Sequence, residues 1–410
     1  MAHPTRGVDA WRAELDAFLA VHLPEGWRDA VASGDDAAIL AQREGLESAA
    51  FVAELGMAGW VAPGWDPAYG GRGFDRDTAQ AVRSYLDELD VPRVPRGSGL
   101  PLAAPTILEW SSEETKRRLL PPIATGEERW CQLFSEPGAG SDLASLATTA
   151  VVDGDEWVVN GQKVWTTMGH ESEFAMLLAR TDPDVVKHQG ITYFGLDLRS
   201  AGVEVRPLRN MAGRIEFNEV FLDDVRVPDL HRISPVGDGW KATRTTLGAE
   251  RHALSGGARK KRKATDEILG GKTMDDVLTL GRRLGVTGDP VWRQRLATEW
   301  ANQRVLRVTT QRARANAGGP EGSITKIAKA TSNQSLQVLA MDLLGPRATA
   351  WEETDPDTPE FVEQFLRTRA NSIEGGTSEI QRNIVGERVL GLPREPDPYL
   401  TSPWKDVPRS

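Results

Sequence analysis

The chain has 410 residues, enough for a large core and two or three packed subdomains. Its 40% hydrophobic and 26% charged residues are those of an ordinary globular protein, so disorder is not the default. A net charge of −10 argues against a general nucleic-acid binder, which needs a basic surface, but leaves room for an anionic ligand met by local positive charge. Cys131 is the one cysteine, so no disulfide framework can form within the chain, which fits a reducing cytoplasm. Met1 to Val8 contains no apolar signal-like run, and no stretch approaches the ~20 apolar residues of a membrane span. The expectation is a soluble, cytoplasmic protein with no membrane span.

The first region, residues 1–129, reads as helical. Trp11, Leu15, Phe18 and Leu19 recur at helical spacing, as do Leu46, Ala50, Ala53 and Met57. A turn-rich stretch from Pro63 to Gly73 interrupts the pattern, and further helices are predicted over Thr78–Leu89 and Glu113–Ala124. The second region, residues 130–236, changes period. Phe174 to Leu178 is a short apolar run, Ile191 to Leu198 alternates in part, and Phe217 to Val227 is rich in Val and Phe. Asp153-Gly154-Asp155 and Asn160-Gly161 read as hairpin turns, giving a small antiparallel β-domain. The third region, residues 237–395, returns to helical spacing, with long helices predicted over Gly239–Lys263, Pro290–Ala317 and Ser323–Leu344. Shorter ones follow over Pro359–Arg369 and Ser378–Val389, and the Pro-rich tail, residues 396–410, reads as an extended surface segment. The fold class is α+β, mostly α.

Two stretches carry chemistry. Cys131 to Asp142 reads as a strand running into the Gly/Ser-rich loop Ser135-Glu-Pro-Gly-Ala-Gly-Ser-Asp142, whose exposed backbone N–H groups suit close approach to a flat ring or a phosphate. Trp157 to Thr167 follows at a short interval. Its Trp165 could cover a planar cofactor, and Thr167 could offer it a hydroxyl.

Together these segments closely resemble the acyl-CoA dehydrogenase family, whose pattern is Thr/Ser-Glu-Pro-x-Ala-Gly-Ser-Asp followed by Asn-Gly-x-Lys-x-Trp-Ile/Thr-Thr/Ser. Here they read Ser135 to Asp142 and Asn160 to Thr167. Gly59-Trp-Val-Ala-Pro63, Tyr69-Gly-Gly71 and Gly375-Gly-Thr-Ser-Glu-Ile-Gln-Arg-Asn-Ile384 extend the resemblance along nearly the whole chain, in order. It implies an N-terminal helical domain, a middle β-domain and a C-terminal four-helix bundle, with FAD between the last two. It further implies flavin contacts from Leu133, Phe134, Ser135, Gly140, Ser141, Trp165, Thr166, Thr167, Thr377 and Glu379, an acyl-CoA contact from Ser141, and no metal.

Removing an α-proton from a thioester requires a carboxylate in a dry site, where burial raises its basicity. Glu250 shares a helical face with Trp240, Thr243, Leu247 and Leu254. Its Glu250-Arg251 pair resembles that of isovaleryl- and long-chain-type members, whose base lies on this helix. Glu374 precedes Gly375 and stands one residue out of register with the base of short- and medium-chain members. The expectation is Glu250 as catalytic base, Arg251 near the substrate, and Gly375 offering a backbone N–H to the thioester oxygen. The β-hydride would pass to flavin N5, giving a 2-enoyl-CoA, with electrons going on to an electron-transferring flavoprotein.

The chain departs from the family at the adenine half of the FAD site. Gly281 to Pro290 lacks an Arg-x-x-Phe-Gly motif, and Gly345-Pro346 replaces Gly-Gly. Similar departures occur in actinobacterial members acting on steroid side-chain thioesters. A homo- or hetero-oligomer, dimer or tetramer, is expected to complete the site. Two alternatives stay open: an acyl-CoA oxidase or flavin monooxygenase on the same scaffold, and a non-catalytic partner subunit. The basic run Arg259-Lys-Lys-Arg-Lys263 reads as a solvated helix end or a contact to coenzyme A phosphates.

Overall fold

The computed structural model describes residues 8–254, 270–315, 321–350, 354–355 and 357–408. Among the described residues seven α-helices come first: α1 (Val8–His22), α2 (Trp27–Ser33), α3 (Asp36–Glu44), α4 (Ser48–Met57), α5 (Arg76–Glu88), α6 (Ala104–Trp110) and α7 (Glu113–Thr125). Asp35, Asp75 and Ser112 cap α3, α5 and α7 by accepting from backbone N–H groups that the helix leaves without partners. Trp11, Leu15, Leu19, Phe51, Leu55, Trp60, Val82 and Leu86 form one core here. The stripe read along α4 is out of phase. Ala50 is exposed and Met57 is 64% exposed, while Phe51, Val52 and Leu55 face inward onto the core with Trp11, Leu15 and Leu19.

Seven strands follow: β1 (Trp130–Leu133), β2 (Thr149–Asp153), β3 (Glu156–Thr167), β4 (Phe174–Arg180), β5 (Ile191–Asp197), β6 (Val203–Arg209) and β7 (Ile215–Pro228). They form one sheet in the order β1-β4-β2-β3-β7-β6, with β5 also paired to β4. The sheet is mixed rather than antiparallel, because β1 runs parallel to β4 with Trp130 opposite Phe174. Every residue of β4 is buried. Phe174, Met176 and Leu178 point into the core shared with α6 and α7, while Ala175, Leu177 and Ala179 point into the core of the β-domain. The apolar run that alternated with nothing polar is therefore the strand covered on both faces.

Asp153-Gly154-Asp155 makes the β2–β3 hairpin, as its sequence requires. Asn160-Gly161 does not turn. It lies inside β3 at a register shift against β7. Glycine is needed there because a Cβ at residue 161 would stand 2.4 Å from Thr148 Oγ1.

The remaining helices are α8 (Gly239–Leu254), α9 (Met274–Arg283), α10 (Pro290–Ala315), α11 (Glu321–Leu344), α12 (Thr358–Arg367) and α13 (Ser378–Ile384), the last extended by a π-helical turn over Val385–Val389. Met274, Val277, Leu280, Leu296, Leu336, Leu339, Leu343 and Phe361 make their core. The α9 helix, absent from the sequence expectation, is fixed by a capping box between Thr273 and Asp276. The tail is not simply a surface segment, since Trp404 is buried against the β-domain, only 7% exposed. Among the described residues, no helix is long and apolar enough to cross a membrane.

Candidate active site

Strand β1 delivers its chain into the Ser135–Asp142 loop. Phe134 is buried edge-on to Tyr193, with centroids 5.7 Å apart. Glu136 and Ala139 exchange two backbone hydrogen bonds of 3.0 Å, which closes a tight turn. Among the described residues nothing lies within 4 Å of a Cβ built on Gly138 or Gly140, and Ser141 is exposed.

Beneath the loop the Glu136 carboxylate accepts from Ala147 N (2.6 Å), Thr148 N (3.0 Å) and Lys163 Nζ (2.7 Å). Lys163, wholly buried, also donates to the Phe134 carbonyl at 3.1 Å. Burial alone would raise the Glu136 pKa, but Lys163 and the amides outweigh it and hold the carboxyl below its ordinary value. Burial draws the Lys163 ammonium down, and Glu136 opposes that.

The end of β3 lies against this loop, because Val164 N donates to the Ser135 carbonyl at 2.9 Å. Trp165 has a left-handed backbone (φ 63°) and is 63% exposed, which is unusual for so large an apolar group. Its ring stands edge-on to Phe217, 6.0 Å away. The buried Thr166 accepts at its carbonyl from Asn218 Nδ2 (2.9 Å), while its Oγ1 has no hydrogen-bond partner among the described residues. Thr167 is exposed.

Phe217 continues this row toward the C-terminal helices. Arg367, at the end of α12, places its guanidinium 5.9 Å from the Phe217 ring centre and donates from Nε to Glu216 at 2.9 Å. Its two Nη groups bond both Glu374 oxygens, at 3.2 and 3.0 Å, and Asn371 Nδ2 adds a third bond at 2.8 Å. Gly375 and Gly376 follow with φ of 61° and 87°, a path that suits glycine. Thr377 caps α13 by accepting from Ile380 N, and the exposed Glu379 pairs with Arg382.

The α8 helix closes the arrangement against α6 and β5. Thr243 and Thr246 are buried, and Thr246 Oγ1 bonds Thr106 Oγ1 (2.7 Å) and Tyr193 Oη (3.1 Å). Glu250 follows Thr246 by one turn and is half-buried. The side chains of Arg251 and Leu254, and the whole Arg259–Lys263 run, lie outside the described residues. At the other end of α8, a hollow of about 430 Å³ is lined by His188, Gln189, Gly237, Trp240, Lys241 and Arg244, among others.

Three family models match in chain order: the acyl-CoA dehydrogenase N-terminal domain over residues 15–127, the middle domain over 131–225 and the C-terminal domain over 237–390. The chain belongs to the acyl-CoA dehydrogenase family. It is 36% identical over 400 residues to acyl-CoA dehydrogenase IpdE1 of Mycobacterium tuberculosis, covering 95% of this chain and 98% of that protein. It is 39% identical over 345 residues to acyl-CoA dehydrogenase FadE34 of the same organism, covering 83% of this chain and 46% of that one. Among solved structures it resembles the Tcur3481-Tcur3483 steroid ACAD (27% identity, TM-score 0.69, 96% of this chain and 100% of that one covered). It also resembles the ChsE4-ChsE5 complex from Mycobacterium tuberculosis (28% identity, TM-score 0.64, 96% and 100% covered).

An acyl-CoA dehydrogenase is a flavin oxidoreductase, and the residues present fit such a group. The open space at Gly138 and Gly140, the exposed Trp165 ring and the partnerless Thr166 hydroxyl are the features a flat polar cofactor would meet. The structure brings the Ser135–Ser141 loop and Trp165–Thr167 together directly, and reaches the Gly375–Thr377 turn through Phe217 and Arg367. Three supporting residues had no assigned role in the sequence reading. Glu136 and Lys163 stood inside the motifs, where a charge of each sign in β-type segments could have marked a buried pair. Arg367 carried no local signal.

Proposed function

We propose that this enzyme converts an acyl-CoA thioester to its 2-enoyl-CoA, with Glu250 as the base. What carries this reading is the engagement of the rival carboxylate. Glu374 is bonded by Arg367 on both oxygens and by Asn371 on one, so it is anchored as part of the wall. Glu250 extends the face of α8 that buries Thr243 and Thr246 and is itself half-buried, the setting a general base needs.

FAD would be held by Leu133 to Ser141 and Trp165 to Thr167, with Thr377 and Glu379 at the C-terminal turn. Once bound, it supplies the hydride acceptor. Ser141 and Arg251 meet the acyl-CoA, and the Gly375 N–H holds the thioester oxygen as negative charge develops there. The hollow bearing His188, Lys241 and Arg244 suits the phosphates of coenzyme A. Electrons leave to an electron-transferring flavoprotein.

The active form is an oligomer, homomeric or heteromeric. Support comes from α10, which leaves Val291, Trp300, Val305 and Val308 between 50% and 67% exposed, and from the ChsE4-ChsE5 complex among the similar structures. The likeness to a steroid ACAD favours a bulky, steroid-derived acyl group. Anaerobic flavin bleaching with straight, branched and steroid-derived acyl-CoAs tests the reading. Bleaching should be fastest with the steroid-derived thioester, and Glu250→Gln should slow it by at least ~100-fold while flavin stays bound. Bleaching at the wild-type rate in Glu250→Gln would remove Glu250 as the base.

A further inference from the structure

The C-terminal tail crosses the β-domain at one place. Trp404 N donates to the Val185 carbonyl (2.8 Å), Lys405 N to the Pro183 carbonyl (3.1 Å), and Pro403 bridges Val186. Lys405 Nζ pairs with Asp184 at 2.6 Å. The tail thereby adds a short strand-like edge to the loop that joins β4 to β5.

Beneath it stands Arg180, 2% exposed, with its guanidinium carbon 4.3 Å from the centre of the Trp404 ring. Arg180 donates to the carbonyls of Ala144 (2.7 Å), Leu146 (3.1 Å) and Lys187 (3.0 Å), and Trp404 Nε1 donates to the carbonyl between the first two, that of Ser145 (3.4 Å). Lys187 Nζ reaches both Asp142 oxygens, at 3.0 and 2.9 Å, and Ser145 Oγ donates to Asp142 at 2.5 Å. Asp142 directly follows Ser141. A closed circuit thus runs from Trp404 through Arg180 to the two segments that fix Asp142.

We infer that Trp404 is a positioning residue for acyl-CoA, acting through Arg180 to hold the Ser141–Asp142 corner in its binding geometry. The inference rests on the acyl-CoA reading above and adds a specific role for the tail. A guanidinium whose bonds converge on backbone carbonyls is stable in one orientation only while water is kept from it. The indole supplies that cover, together with a cation–π contact. Remove the ring and water competes for Arg180, so the Ala144–Leu146 turn and Lys187 loosen together. The flavin-side contacts are spared, because the buried Lys163 ammonium holds the Phe134 carbonyl and Glu136, and neither bond passes through the Ala144–Leu146 turn.

The test uses the full-length FAD-loaded protein, the variants Trp404→Ala and Trp404→Phe, and a chain ending at Glu395. Free coenzyme A is the calorimetric probe. Trp404→Ala and the shortened chain should bind it about tenfold more weakly, the scale of one lost cation–π contact with its hydrogen bond. Trp404→Phe should recover most of that loss, and flavin content should stay at the wild-type level throughout. Hydrogen exchange should rise at residues 143–146 and 183–188 in the Ala variant, and not at β3. Unchanged coenzyme A affinity and exchange in Trp404→Ala would overturn the inference, as would loss of flavin in parallel with affinity. If wild-type holoprotein fails to bind coenzyme A, the acyl-CoA reading falls and takes this role with it. A failure confined to the variants' behaviour leaves that reading standing and removes only the strap.

Discussion

Replacing Lys163 by Met tests the buried pair that joins the two motif segments. Met matches the length of the side chain but removes the ammonium, so the Phe134 carbonyl and Glu136 Oε1 lose their bonds of 3.1 and 2.7 Å. Glu136, 8% exposed, keeps the Ala147 and Thr148 amides and no counter-charge. Stranding one member of a buried ion pair typically costs about 3–5 kcal/mol. Native-state hydrogen exchange at the β1 and β3 amides is the suitable assay, because a chain of this size need not unfold in two states while local opening remains well defined. The loss should shrink on acidification. In the wild type the depressed Glu136 pKa contributes stability above the unfolded value of about 4.3, which is lost as pH falls through the folded pKa. In Lys163→Met the carboxyl becomes harder to ionise, so falling pH protonates it and relieves the strain. Glu136→Gln in the same chain should recover part of the loss, since Gln removes the stranded charge but keeps an acceptor for only one of the two amides. A single variant within about 1 kcal/mol of wild type at neutral pH, or a double-mutant cycle with no coupling, would refute this account.

Two further outcomes follow from the same geometry. Glu374→Gln should bleach flavin at most of the wild-type rate yet lose about 1–3 kcal/mol of local stability, because Arg367 keeps Glu216 but loses a two-pronged carboxylate; a collapse in rate with stability intact would place the base in the C-terminal turn. His231, packed edge-on to Phe174, has its pKa drawn from 6.5 down to about 4, chiefly by burial and then by Arg118. The unfolded chain therefore takes up this proton first, so stability falls as pH drops from about 6.5 to about 4 and is level below. Discounted for partial exposure the amplitude is about 1–2 kcal/mol. Native-state hydrogen-exchange stability of the β4 amides, followed against pH, should lack that component in His231→Gln, and an unchanged profile would contradict it.

By itself the sequence determined the class of the fold, because its period changes from helical to extended and back, and burial on one face or both leaves that trace in local pattern. The motif segments were equally legible, since Ser135–Asp142 and Asn160–Thr167 are contiguous and their chemistry is local. Gly161 was misread as a turn because an Asn-Gly pair signals local conformation, whereas the approach of Thr148 that demands glycine there comes from a strand folded beside it. The stripe on α4 was out of phase because spacing alone does not say which neighbour a helix will meet. Only the tertiary structure decided that Glu374 is anchored, as Arg367 and Asn371 close on it while Glu216, from a distant strand, steadies the arginine. It alone likewise brought Trp404 onto Arg180, from opposite ends of the β-domain and the tail. Such contacts form between groups that are neighbours in space but not in sequence, and a buried charge reveals its partner only when the chain has closed around it.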